Sequence, residues 1–157
     1  MPELPTGTVT LLFADIEGST RLLQELGPRY DQALEMCRAI LSSAAEVNGG
    51  HLVDTAGDAC VFVFPQARAA VTATLTALRA LANQAWPMGS QLRVRMALHT
   101  GAPRRTTTGY TGLDVHHAAH LCDAAHGGQV VVSAATRALI GDDLPRSWSC
   151  ATWERTD

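Results

Sequence analysis

A chain of 157 residues, 46% hydrophobic and 17% charged, is long enough for one domain with a real core and is not a disordered polymer. Its net charge of −3 gives no general pull toward nucleic acid or an anionic membrane, so an anionic ligand would need local help from metal ions, helix ends or single arginines. No basic start leads into an apolar segment, and no apolar run approaches about 18 residues, which predicts a cytoplasmic chain with no membrane contact.

Met1 to Gly7 is a loose, proline-containing lead-in. Thr8 to Ala14 is almost continuously apolar and β-prone, as in a central strand covered on both faces. It ends on Asp15. Gly18 then relaxes the backbone, and Ser19 or Thr20 is placed to cap a short helix over 19–26. Gly27-Pro28 breaks that helix and starts a longer one, in which Tyr30, Leu34, Cys37, Leu41 and Ala44 share a face. Asn48-Gly49-Gly50 supplies its C-cap.

His51–Thr55 and Ala59–Phe64 read as two strands joined by a tight hairpin at Ala56-Gly57-Asp58. Pro65 opens a helix with Val71, Leu75, Leu78 and Ala82 on one face. Gln91–His99 alternates Leu92, Val94, Met96 and Leu98 with polar or small residues, as a strand with one buried face. Thr100–Thr111 reads as an exposed arm or loop. Leu113–Ala125 is a helix ended by His126-Gly127-Gly128. A short strand over 129–133, a helix over 134–140 and a last strand over 148–153 follow. The four cysteines, Cys37, Cys60, Cys122 and Cys150, show no metal-pair spacing and read as reduced thiols.

This order predicts an α+β fold of the ferredoxin-like, split βαβ kind. Its sheet is mainly antiparallel, with helices packed on one face. The first strand is then central, and its end lies beside the β-hairpin, so Asp15 approaches Asp58. Two carboxylates so placed can hold two divalent cations. The backbone N–H groups of Ile16, Glu17, Gly18, Ser19 and Thr20 are placed to cradle phosphate oxygens, and Arg95 can add a fixed positive charge. Each residue taken singly has an ordinary alternative: a turn aspartate, a strand-surface arginine, a helix cap.

Four runs carry a resemblance. They are Leu12 to Thr20, Thr55-Ala56-Gly57-Asp58-Ala59, Arg93 to Gly101, and Gly112 to Ala119. Together with His126 to Ser133 they resemble the catalytic domain of class III adenylate/guanylate cyclases, especially actinobacterial ones, over about residues 6 to 148. The resemblance implies a single cyclase catalytic domain over residues 1–157, with a shortened C-terminal end. It implies a head-to-tail homodimer with active sites at the interface. The implied reaction turns a nucleoside triphosphate into its 3′,5′-cyclic monophosphate and pyrophosphate, with two Mg²⁺ or Mn²⁺ ions per site. Asp15 and Asp58 match the metal aspartates, the Ile16 carbonyl a further metal ligand, and Arg95 a phosphate-binding arginine.

Other positions depart from the family pattern. His116 and His120 stand where an asparagine and an arginine usually orient the ribose and stabilise the transition state. A histidine at the second place is only partly charged at neutral pH, which implies a slow enzyme or one favoured at mildly acid pH. Asp54 and Gly109 fall on the base-selecting positions. A carboxylate at Asp54 accepts from guanine N1–H and N2–H₂, which leans the pair toward GTP or toward weak selection. After Ser149 the chain does not match the usual terminal strands with their phosphate-binding lysine.

The primary expectation is a slow two-metal cyclase using GTP or ATP. The alternatives are a degenerate cyclase domain that binds nucleotide or dimerises, a standard ATP-using adenylate cyclase, and a small metal-binding protein using His116 and His120, which share a helix face. His117 and His126 read as structural.

Overall fold

A computed structural model describes residues 3–87 and 92–151. Strand β1 (Val9–Ile16) runs antiparallel to both β3 (Ala59–Phe64) and β4 (Val94–Gly101), which makes it a central strand. Beyond β3 lies β2 (His51–Ala56), joined to it by the two-residue turn Gly57-Asp58. Gly57 takes φ 59°, the left-handed conformation that a turn this tight requires. On the other side, β7 (Val130–Ser133) pairs parallel with β4, and β8 (Ser149–Ala151) pairs parallel with β7. The sheet order is β2-β3-β1-β4-β7-β8, and three of its five pairings are antiparallel.

Residues of alternating parity feed two different cores. Leu12, Ala14, Ile16, Phe62, Phe64, Met96, Leu98 and Val130 face helices α2 (Pro28–Val47), α3 (Ala67–Asn83) and α5 (Ala134–Ile140). The leucine, isoleucine, phenylalanine, methionine and valine side chains among them contribute roughly 1.5–3 kcal/mol each relative to exposure. On the opposite face Leu11, Val63, Ala97 and Val131 are covered by α4 (Leu113–Ala124), through Ala118, Leu121 and Cys122. The helices are therefore not confined to one face, and β4 is buried on both. The alternation in 92–99 looked one-sided because the residues that face α4 include Ala97 and His99, small or polar yet buried.

Most predicted elements form. α1 (Ser19–Leu26), β3 and α5 fall where expected, and the Tyr30, Cys37, Leu41 and Ala44 stripe of α2 is buried. In α3 the buried stripe is Ala70, Val71, Ala73, Thr74, Ala77 and Leu81, so Ala82 turns outward. The N-cap of α1 is Gly18, at φ 67°, so neither Ser19 nor Thr20 is the cap residue. Inside the 100–111 arm, β5 (Arg104–Arg105) and β6 (Tyr110–Thr111) form a small hairpin of their own. Gln91 and the end of the last predicted strand, Thr152 and Trp153, lie outside the described residues.

One buried polar thread crosses the larger core. Thr10 Oγ1 meets Thr100 Oγ1 at 2.9 Å, Thr100 meets Thr136 Oγ1 at 2.8 Å, and Thr136 meets Ser133 Oγ at 3.2 Å. These hydroxyls satisfy one another, so polar side chains tie β1, β4 and the start of α5 together without unpaired buried groups.

Candidate active site

Asp15 does not stop the first strand. β1 continues to Ile16, and Asp15 sits opposite Arg95 in the β1–β4 register. Both side chains project on the α4 face, the parity of Leu11 and Ala97. Arg95 donates from Nε to Asp15 Oδ1 at 2.7 Å and from its terminal nitrogen to Oδ2 at 2.8 Å, a two-pronged ion pair. The side chains are 25% and 15% exposed, so the pair is partly withdrawn from water. The second terminal nitrogen of Arg95 reaches the Asp123 carbonyl near the end of α4, at 3.4 Å.

The β2–β3 turn brings Asp58 to the same place. Asp58 Oδ2 accepts from the Ile16 backbone N–H at 3.1 Å. Burial pushes the Asp15 carboxyl above the ordinary carboxylate value; the Arg95 contact opposes this, and the charges of Asp58 and Asp123 add to it. Two acidic side chains are thus gathered at the β1 end, with one arginine between them and α4.

The amides after Asp15 are not all open. The Ile16 N–H serves Asp58, and the Glu17 N–H donates to the Arg93 carbonyl at 2.8 Å. Of the amides expected to cradle phosphate over 16–20, two are therefore already used, by the Asp58 carboxylate and by the Arg93 carbonyl. A Cβ at Gly127 would overlap the Glu17 carboxylate and Arg93, so the 126–128 turn presses directly on this junction.

Arg38 was not singled out by sequence. It lies one residue past Cys37 on the buried stripe of α2 and donates to the Gly57 carbonyl, bracing the turn that carries Asp58. A cation placed directly beside an apolar stripe is the one signal that could have marked it.

The remaining candidates lie along α4 and the arm. His116 and His120 are exposed on α4, on the side away from Ala118, Leu121 and Cys122. Leu113, 72% exposed, shares that outward side one helical turn earlier. Asp54 is exposed on β2, just past a register shift between Leu52 and Asp54. A Cβ at Gly109 would stand 2.9 Å from Val53 Cγ1, so the arm and β2 bring Gly109 next to the neighbour of Asp54. Within one chain the structure joins Asp15, Asp58 and Arg95, and separately sets Gly109 against Val53, the chain neighbour of Asp54; His116 and His120 point outward instead.

The profile of the family described as "Adenylate and Guanylate cyclase catalytic domain" matches residues 1–149, and the chain belongs to that family. It is 37% identical over 143 residues to the uncharacterized protein Rv0891c of Mycobacterium tuberculosis, a match covering 90% of this chain and 48% of that protein. It is 31% identical over 156 residues to an adenylate cyclase of Mycosarcoma maydis, covering 82% of this chain and 6% of the relative. The chain thus spans about half or less of these relatives' length. Among solved structures, the catalytic core of a rhodopsin-guanylyl cyclase with converted specificity, in complex with ATPαS, superposes with a TM-score of 0.81. That match is 21% identical and covers 87% of this chain and 83% of the other.

Proposed function

We propose that residues 1–157 form one catalytic domain that converts a purine nucleoside triphosphate to its 3′,5′-cyclic monophosphate and pyrophosphate. The observation that carries this reading is the meeting of Asp15 and Asp58 at the end of β1, with Arg95 beside them. Asp15, Asp58 and the Ile16 carbonyl are an oxygen-only donor set, which fits Mg²⁺ or Mn²⁺. Burial already makes the Asp15 charge unfavourable, a cost that a bound cation relieves. Two such ions would stabilise the attacking 3′-oxygen and the leaving pyrophosphate.

The chain's own groups then divide the work. The amides of Gly18, Ser19 and Thr20 hold phosphate oxygens at the start of α1. Arg95, released from one oxygen of Asp15, adds a charged contact to the phosphates. Asp54 accepts from the base edge, Gly109 leaves that pocket open, and the substrate is GTP or either purine triphosphate. His116 orients the ribose, and His120 in its protonated form offsets the charge that builds on phosphorus. Because His116 and His120 face away from their own chain's acidic pair, the complete site is formed head-to-tail by two copies.

The test is to incubate the pure protein with Mn²⁺ and ATP or GTP, side by side, and separate the products by chromatography. Cyclic GMP at or above the level of cyclic AMP is expected, with specific activity rising as protein concentration rises. No cyclic product from either triphosphate at micromolar protein refutes the reading. A strong preference for ATP returns it to an ordinary adenylate cyclase. A second reading, a nucleotide-binding or dimerisation module without turnover, draws on one observation: Arg95 already satisfies both oxygens of Asp15. Triphosphate binding by calorimetry without product would favour it.

A further inference from the structure

We propose that this chain carries a second, chemically different metal site, built from His99, Asp114 and His117 and suited to Zn²⁺. The three side chains each offer a ligand atom, and these atoms lie within 4.8 Å of one another. They come from two elements that pack together: His99 from β4, and Asp114 and His117 from the first turns of α4. Asp114 and His117 are three residues apart, so they share one side of the helix. That side faces the sheet, and it is not the side of His116 and His120. This set differs from the His116–His120 pair that the spacing of α4 suggests: His117 and Asp114 come from the helix and His99 from the sheet.

Several details fit a built site. His99 is only 8% exposed. Its Nε2 stands 2.8 Å from Asp114 Oδ1, while its Nδ1 is buried without a hydrogen-bond partner. Two ligands on one tetrahedral ion stand about 3.3 Å apart, given bonds of about 2.0 Å, so the pair need open by only about half an ångström. The other Asp114 oxygen accepts from the Ala102 N–H at 3.0 Å, the kind of outer contact that orients a carboxylate ligand. Gly101 makes the approach possible, because a Cβ there would overlap the Asp114 carboxyl. The His99 and His117 rings meet edge to face, with centroids 5.8 Å apart.

The donor chemistry separates this site from the acidic one. Two imidazoles and one carboxylate favour a borderline ion such as Zn²⁺, whereas the oxygen-only set at Asp15 favours Mg²⁺ or Mn²⁺. His99 lies four residues from Arg95 on the same face of β4, roughly 13 Å along the strand. The proposed ion would thus pin the start of α4 to the sheet, while Arg95 and Asp123 hold its end. It does not depend on the cyclase reading, since no nucleotide takes part.

Calorimetric titration of the metal-free full chain with Zn²⁺, in excess Mg²⁺ to occupy the oxygen site, is expected to give one Zn²⁺ per chain. His117→Ala and Asp114→Asn should each weaken binding at least tenfold. Co²⁺ should give an intense visible absorption band of a tetrahedral site, lost in His117→Ala. Both changes are at partly exposed positions, and unchanged circular dichroism would show that the variants fold; His99→Ala is the riskier variant because its ring is buried. No uptake of Zn²⁺, or unaltered binding in His117→Ala, overturns the proposal. So does binding that His116→Ala or His120→Ala removes while His117→Ala leaves it intact.

Discussion

The two ends of α4 differ from its outward side in a way that bears on mechanism. At each end the polar groups are matched inside one chain: Asp15 to Arg95, Arg95 to the Asp123 carbonyl, His99 to Asp114, Asp114 to the Ala102 amide. The outward side presents Leu113, His116 and His120 to solvent. A buried, hydrogen-bonded side chain is positioned mainly by its own fold; an exposed one is also open to a second surface. The acidic half of the proposed site is therefore preorganised by folding, and the histidine half lies on a face that a second chain can reach.

The comparison breaks most readily at Asp58. Asp58→Ala removes one of the two gathered carboxylates and the acceptor of the Ile16 amide, and cyclic product is expected to fall about 100-fold or more in a fixed-time Mn²⁺ assay. An unchanged rate would remove the acidic end from the chemistry. On the outward side, His120→Arg replaces a partly charged group by a permanent, forked cation, and a gain of roughly tenfold in turnover is expected. A gain confined to concentrations where the protein sediments as a dimer would tie that face to association. Asp54→Lys is expected to raise the ratio of ATP to GTP use by roughly fivefold, read from competition between the two substrates.

The smallest expected effect concerns stability. The folded-state pKa of Asp15 lies above its ordinary 3.8, so the fold binds that proton more tightly than the unfolded chain does. The resulting stabilisation is fully present below 3.8 and is lost as pH rises through the raised value. Urea melts at a series of pH values should show this loss in the wild type and not in Asp15→Asn. Added Mg²⁺ should oppose the loss at the upper end of the range. A parallel pH profile in the two proteins would mean that Asp15 is no more buried than a surface aspartate.

Local patterns accounted for much of the fold. The helix from Ser19 to Leu26 and the one from Ala134 to Ile140 have clear signals at both ends, and α2 has a long apolar stripe. The approach of Asp58 to the end of β1 followed from strand order. What sequence did not show depended on pairing and on depth. The register that sets Asp15 against Arg95 is a contact across 80 positions, and nothing near either residue specifies it. Ala97 and His99 are too small or too polar to mark a second buried face, so α4 was placed without its sheet. Gly18 caps α1 through backbone conformation, while the hydroxyls of Ser19 and Thr20 suggested a side-chain cap. His117 reads as structural from sequence, since its neighbours His99 and Asp114 come within ligand reach of it only once α4 lies on β4.

The thiols have a practical consequence. Cys37, Cys60 and Cys122 are buried, and burial pushes Cys37 and Cys122 up to about 12, where almost no thiolate exists near neutral pH. Cys150, on the edge strand β8, is exposed. A maleimide dye should therefore attach once per folded chain, at Cys150, with no cysteine removed by mutation. Mixing donor-labelled and acceptor-labelled samples of the natural sequence would then report self-association by energy transfer, at concentrations far below those that sedimentation needs.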